Sequence, residues 1–395
     1  MLWTVAAWGG LAALALGLAA ELGCRWWIRR RTRYYVWPPR LRLDLRQDPD
    51  IFPEVEPRVL VEINADGERG GDVRDGPGLF RVLVAGGSAV ECLALDQATS
   101  WPGALERLLN APQSLEILNA RRVHVGNIGR SGIGSEDLDD ILARVLPQYN
   151  HLDAILIMVG ASDIYHWLED GAPPGQPPTP IPKHALFSSH PGQVFGWRPG
   201  ATALAEGARR LRRLWLRPVE VKAHAGSWVP VARRMRAEAK ELRTTVPDPG
   251  TVLGSFEEHF RRLLRCAAAH ADRVLVVRQP WFEKVYTAEE AARFWHGGMG
   301  KAWKQAITVF YSHDVINGLL GLVDARAAKV ADEVGVHHLQ LRPLLAQGLH
   351  HYYDHDHYTP DGAAVVARAV AAALLAARDE TNEGLEPSYD AAGVT

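Results

Sequence analysis

The chain opens on a run without charge: Met1 to Ala20 is apolar or small throughout, and the first charged side chain is Glu21. As a helix such a run spans about 30 Å, enough to cross the hydrocarbon core of a bilayer, which predicts a membrane anchor over 1–23. A cleaved signal peptide is the alternative. It would carry a basic residue ahead of the apolar run and a small-x-small site leading into a polar start, and this run has neither. The pattern then changes to a basic-aromatic collar, in which Arg25, Arg29, Arg30, Arg31 and Arg33 are interleaved with Trp26, Trp27, Tyr34, Tyr35 and Trp37. With residues 38–79 the collar makes up a lead-in over 24–79. It mixes Pro, Asp, Arg and Gly and reads as irregular, with one short strand at Val59 to Ile63 and a tight turn at Asn64 to Gly70.

From Arg81 onward, short apolar runs recur that read as strands buried on both faces. They are Val82 to Ala85, Val123 to Val125, Ala154 to Val159, Val274 to Val277 and Val336 to Leu341. Between them, Trp101 to Asn110 and Glu136 to Val145 carry apolar residues three and four apart, the spacing of a helix with one buried face. Strand, helix and strand in this rhythm predict parallel βαβ units and a doubly wound sheet. The rhythm breaks over 171–250. There a Pro-rich opening, Pro173 to Pro182, leads into Arg-rich stretches around Arg209 to Arg217 and Arg233 to Arg243, read as a helical insert. A basic face of this kind is solvated by default, and lipid headgroups or an acidic glycan are the other partners it suits. The main domain is thus expected over 80–378, followed by a disordered tail at 379–395.

Composition narrows this picture without changing it. With 47% hydrophobic residues, 23% charged and a net charge of -2, the chain is globular and gives no sign of a nucleic-acid partner. Cys24, Cys92 and Cys266 are too few and too far apart for a disulfide framework or a thiolate zinc site. Cys92 reads as a buried apolar residue. Lipidation of Cys24 is disfavoured by Glu21, an acidic residue three positions ahead of it.

Two places carry chemistry. The first strand ends in Gly86-Gly87-Ser88, which puts a serine on a tight turn at the carboxyl edge of the sheet, where ligands of open α/β sheets gather. Alone this is weak, since glycine-rich strand ends also cradle phosphates or simply turn. Near the other end, Asp354 stands three residues before His357. An Asp at that spacing can orient the imidazole while the other ring nitrogen takes a proton from serine.

Taken in order, Gly86-Gly87-Ser88, Asn127 to Gly132, Gly160 to Asp163 and Asp354-x-x-His357 resemble the ordered blocks of SGNH/GDSL hydrolases. The resemblance runs from Arg81 to Arg378, with the insert unmatched. It implies a flavodoxin-like three-layer α/β/α fold around a parallel five-stranded sheet, with the N-terminal transmembrane helix and the insert added. It also implies a serine that hydrolyses or transfers the acyl group of an ester, without cofactor or metal. By position, Ser88 is the nucleophile, His357 the general base and then acid, and Asp354 its orienter. The backbone N–H groups of Ser88 and Gly132 supply two donors of an oxyanion hole. Gly87 stands where the family usually has Asp. Ser162 stands where it has the Asn side chain that gives the third donor. A hydroxyl donates one hydrogen bond and reaches less far than an amide, so the resemblance implies a weaker hole, or one bridged by water or completed from elsewhere.

Other readings stay open at this level. An acylated glycan or a lipid-like ester both suit an anchored enzyme as substrate. A chain that has lost catalysis and binds a glycan or scaffolds an envelope assembly is the alternative that Ser162 invites. His350, His351, Asp354, His355, Asp356 and His357 also form a cluster with metal-ligand chemistry. Adjacent loop ligands seldom converge, and His350, His351 and His355 read as loop or surface residues. Asp163 is expected to cap the helix that it begins. Among Trp281, Phe282, Trp295 and Trp303, each is expected in the core, with some placed to wall a pocket. On orientation the signals conflict. The arginines after the apolar run favour a cytoplasmic domain by the positive-inside rule, and the resemblance to anchored relatives favours an extracytoplasmic one, which is the side adopted.

Overall fold

The computed structural model describes residues 2–190, 202–208, 219–224 and 226–383. Its centre is a parallel sheet built from the expected runs: β3 (Leu79–Gly86), β4 (Arg122–Asn127), β5 (Ala154–Met158), β8 (Arg273–Arg278) and β10 (His337–Gln340). The spatial order is β10-β8-β5-β3-β4. Numbered along the chain this is the 2-1-3-4-5 order of flavodoxin-like sheets, whose ligand crevice lies where the order reverses, at the carboxyl ends of the first and third strands. β5 is buried at every position, as a central strand covered on both faces must be.

Helices cover both faces. On one side α5 (Ser135–Val145), α6 (Ala161–Glu169), α9 (Gly250–Ala268) and α11 (His313–Val334) pack against Leu83, Ile155, Ile157 and Val276. On the other, α3 (Trp101–Leu109), α4 (Pro112–Leu118) and α12 (Pro360–Glu383) pack against Val82, Val84, Leu156 and Val277. The alternation of β3 thus splits cleanly between two cores. Truncating a side chain such as Ile155 to Ala is expected to cost about 2–5 kcal/mol.

The lead-in is more ordered than its composition suggests. β1 (Leu41–Arg46) pairs antiparallel with β2 (Arg58–Glu62), setting Leu43 opposite Val61 and Leu45 opposite Val59. Leu45, Val59, Val61 and Ile63 close a small core of their own. The strict alternation of Leu41, Leu43 and Leu45 with charged residues is a strand signal that the Arg and Asp content masked. The insert is likewise not wholly helical. It contributes β6 (Val219–His224), parallel to β1, then α8 (Val229–Ala237), then β7 (Glu241–Arg243), which pairs in parallel with β9 (Val309–Tyr311). The helix expected at Arg209 to Arg217 lies outside the described residues. At the other end α12 continues through Glu383, past the expected start of the tail, and residues 384–395 lie outside the described residues.

The N-terminal helix α1 spans Leu2–Arg31, so it runs on through the first part of the collar. Its span from Ala7 to Arg31 is long and apolar enough to cross a membrane. Trp8, Leu11, Leu14, Leu16 and Leu18 on it are exposed, whereas Ile28 is fully buried in the folded body. Glu21 accepts hydrogen bonds from the backbone N–H of Ala203 (2.7 Å) and Leu204 (3.1 Å) in the insert, and from Arg25 Nε (2.7 Å). The collar divides in two. Trp26 and Trp27 stay exposed under the guanidinium groups of Arg30 and Arg31, while Tyr34 and Trp37 pack on the main core.

Candidate active site

The end of β3 approaches β5 so closely that a Cβ on Gly86 would lie 1.9 Å from the Met158 carbonyl oxygen, so only glycine fits there. The chain then turns through Gly87 into the short helix α2 (Ser88–Glu91), lifting Ser88 above the sheet edge. Ser88 Oγ lies 2.7 Å from His357 Nε2. On the other side of the ring, His357 Nδ1 lies 2.7 Å from Asp354 Oδ2. Asp354 is fully buried, and its Oδ1 accepts from the backbone N–H groups of Asp356 (2.9 Å) and His357 (2.8 Å). The loop is folded back on itself, with Tyr352 bridged to Tyr358 and the Tyr353 N–H bonded to the His357 carbonyl. Two residues from opposite ends of the chain and the orienting acid therefore form one continuous hydrogen-bonded array, the arrangement that lets an imidazole take a serine proton.

Electrostatics follow from burial and neighbours. Burial alone would push the His357 pKa down. The Asp354 and Asp356 carboxylates more than reverse this and raise it to about 9. Burial would raise Asp354, yet the charge and hydrogen bond of His357 hold it below the usual carboxylate range. Asp356 is pushed up by burial to about 6, and His296, beside the imidazole, is pushed down by burial to about 3 and is neutral at pH 7.

The expected donors gather beside Ser88. Ser88, Gly132, Ser162 and His357 all line one cavity of about 500 Å³. Gly132 has φ +76°, a left-handed turn that glycine adopts without strain. The Ser162 hydroxyl sits over the turn, 3.6 Å from where a Cβ on Gly87 would be. Asp163 departs from expectation. Its carboxylate accepts from the N–H (3.0 Å) and Oγ (2.6 Å) of Ser135, so it caps α5 and ties that helix to α6 instead of capping its own.

Several supporting residues were not read from the sequence. Glu91, one turn after Ser88 and buried, accepts from the backbone N–H (2.8 Å) and the hydroxyl of Ser131, which fixes the turn that presents Gly132. Arg69, also buried, donates to the carbonyls of Glu91, Cys92 (2.9 Å) and Leu95 (2.6 Å), and so braces the segment behind Ser88. A charged residue inside an otherwise apolar run, as Glu91 is, was the available signal. Cys92 is buried as expected, and burial raises its thiol to about 12.

The histidine-rich loop separates into different roles. His355, expected at the surface, is buried and bonded to Asn317 Oδ1 (2.8 Å) and Tyr165 Oη (3.1 Å), because the fold-back of the loop turns it inward. His350 is exposed, and His351 Nδ1 accepts from the Ala346 N–H. His296, Asp354 and Asp356 bring possible ligand atoms within 4.8 Å of one another. Both oxygens of Asp354, however, are already committed to His357 and the loop backbone. That leaves His296 and Asp356, too few for a closed metal site.

Aromatic side chains form one wall of the cavity: Phe52, Trp228, Trp295, Trp303 and Tyr353. Trp281, Phe282 and Trp295 are core, as expected, and Trp295 also stacks over His357, whereas Trp303 is 49% exposed at the rim. The opposite side is more polar, with His166 and Glu169; burial raises the Glu169 carboxyl to about 7.

No protein-family model matches the chain, and no curated protein does. Among solved structures, an acetylxylan esterase from Geobacillus stearothermophilus is similar at 13% identity and a TM-score of 0.39, over 74% of this chain and 92% of that one. An alpha/beta hydrolase enzyme from the metagenome of Lake Arreo, Spain, is similar at 13% identity and a TM-score of 0.40, over 74% and 94%. A member of the lipolytic protein G-D-S-L family from Veillonella parvula is similar at 8% identity and a TM-score of 0.38, over 74% and 96%. The reading of the site rests on the residues of this chain and their geometry.

Proposed function

We propose that this chain is a membrane-anchored serine hydrolase of the SGNH/GDSL type, which takes the acyl group of an ester onto Ser88 and passes it to water or to another hydroxyl. The observation that carries the reading is the unbroken Ser88–His357–Asp354 array, with 2.7 Å at both hydrogen bonds, opening into a cavity. His357 takes the Ser88 proton through Nε2 as Oγ attacks the acyl carbon, then returns it to the leaving alcohol. Asp354 holds the ring in the tautomer this requires. The developing oxyanion is met by the N–H groups of Ser88 and Gly132 and by the Ser162 hydroxyl.

An array of this kind fits acyl transfer to serine without a metal. A cavity of about 500 Å³ with an aromatic wall accommodates an ester well beyond the size of acetyl itself, such as a lipid-like acyl chain or an acylated sugar. The anchor reading draws support from α1, and the packing of Ile28 and Glu21 argues that α1 is retained and not removed as a signal. An extracytoplasmic domain is the side proposed. The domain division proposed is an anchor, a lead-in, a hydrolase domain with its insert, and a tail.

Labelling the full chain in detergent with a fluorophosphonate tests the reading by intact mass. A single adduct is expected on the wild type, absent in Ser88→Ala and much slowed in His357→Ala. One feature favours a second reading, a lapsed domain that binds a glycan: Ser162 stands where the family places an amide donor. A folded wild type that takes no adduct would support it.

A further inference from the structure

We propose that Asp356 is a second positioning carboxylate for His357, acting on the same ring nitrogen as Asp354. The inference rests on the serine-hydrolase reading and deepens it. Asp356 Oδ1 lies 3.5 Å from His357 Nδ1, beyond a good hydrogen bond but well within range of a strong charge interaction, while Asp354 Oδ2 holds the same atom at 2.7 Å. The Asp356 N–H donates to Asp354 Oδ1, so the geometry of one carboxylate fixes that of the other. Oδ2 of Asp356 accepts from Gln279 Nε2 at 3.2 Å, which anchors it to the end of β8. Oδ1 is buried and, among the described residues, has no hydrogen-bond partner.

A buried carboxylate with one oxygen unsatisfied is costly unless a positive charge faces it. The imidazolium of His357 is that charge, and from the neutral ring that reacts it forms as the Ser88 proton moves to Nε2. As the Oγ–acyl bond forms, the proton passes from Oγ to Nε2, and Asp354 and Asp356 face the resulting cation from the Nδ1 side. When the leaving alcohol departs it takes this proton, and the ring returns to neutral. Asp356 touches no reacting atom, so its effect is exerted through His357.

The other titratable or charged groups around the pair come from several elements. Glu91 of α2 acts on the ring, Tyr165 of α6 on Asp356, Arg233 of α8 on Asp354, and His296, partly exposed in the cavity, lies 3.9 Å from Asp356 Oδ1. Each is held in common by the wild type and an Asp356→Asn variant, so a difference between the two reports Asp356.

The test is the rate of fluorophosphonate labelling of the full chain against pH, for wild type, Asp356→Asn, Asp354→Asn and the double variant. Losing a carboxylate beside the ring lowers its basicity. Asp356→Asn is therefore expected to move the acid limb down by about one pH unit and to slow the plateau about tenfold. Asp354→Asn is expected to slow labelling about a hundredfold, and the double variant to slow it about a further tenfold, because Asp356 is then the only acid left at Nδ1. An Asp356→Asn protein with the wild-type limb and plateau, or a double variant no slower than Asp354→Asn, overturns the inference while leaving the hydrolase reading intact. A wild type that takes no label overturns both. If Asp356→Asn does not fold, Gln279→Leu withdraws the partner of the same carboxylate without removing it. An ionised Asp356 with one donor fewer faces the ring with more negative charge, so the limb should move up by a smaller amount, and an unchanged limb there overturns the inference.

Discussion

The two walls of the cavity are built on different physical terms. The floor, with Ser88, Gly132, Ser162 and His357, rises from the carboxyl edge of the sheet. It is braced by buried Glu91 and Arg69, whose hydrogen bonds end on the loops that carry the reacting groups. The opposite wall is aromatic and comes from the lead-in, the insert and the segment after α10 (Ala288–Ala292), with Phe52, Trp228 and Trp303 standing on loops and turns. Trp228 meets Trp295 and Trp303 edge-on, at centroid separations of 6.1 and 5.7 Å. The floor is held by polar bonds that tolerate little displacement, and the wall by contacts that side-chain changes can remodel. Chemistry and substrate choice are thus expected to separate by region.

Breaking the floor should have the largest effect. Ser88→Ala is expected to cost about 10³-fold or more in kcat on a p-nitrophenyl ester with KM little changed. Next, Ser162→Ala should lower kcat about 10- to 100-fold, and Ser162→Asn should preserve or raise it, if the hydroxyl supplies the third donor; equal rates for Ser162→Ala and wild type would remove it from the hole. Glu91→Gln is expected to cost about tenfold in kcat, through a loosened Ser131–Gly132 turn, with the fold kept as judged by circular dichroism. On the wall, Trp303→Ala should raise KM severalfold for long or bulky acyl esters and leave kcat for an acetyl ester unchanged. A fall in kcat for every ester instead would erase the division between the regions.

The pH dependence sharpens the same contrast. His357 must be neutral to accept the serine proton, and its pKa lies above that of an ordinary histidine because two carboxylates face it. Activity should therefore be lost as pH falls through that raised value, giving a kcat/KM acid limb on the alkaline side of 6.5. Wall variants should leave this limb where it is.

The same division governs what was legible in the chain. The strands of the main sheet announce themselves as apolar runs because both faces are covered; the candidate Ser88 shows itself at a strand end, and Asp354 and His357 through their three-residue spacing in the loop before α12. Glu91 and Arg69 were missed because one is a lone charge in an apolar run and the other lies in a stretch read as a turn. Their roles depend on which carbonyls and N–H groups the fold brings near, which local pattern does not carry. β1 was missed because half its residues are charged, and β6 because its partner is distant in sequence. Trp303 could not be told from a core residue, since helical spacing of aromatics is the same whether the face meets a sheet or a cavity.

Glu21 spends its carboxylate on the backbone of the insert, and Ile28, two turns on, is sealed into the body. Among the described residues there is consequently no leash between α1 and the body. Were α1 the anchor proposed above, such a stem would hold the body at one height and one tilt, like a post set in a floor. It would meet substrates only within a thin layer parallel to the bilayer, and its encounters would be set by lateral drift in two dimensions and not by tumbling in three.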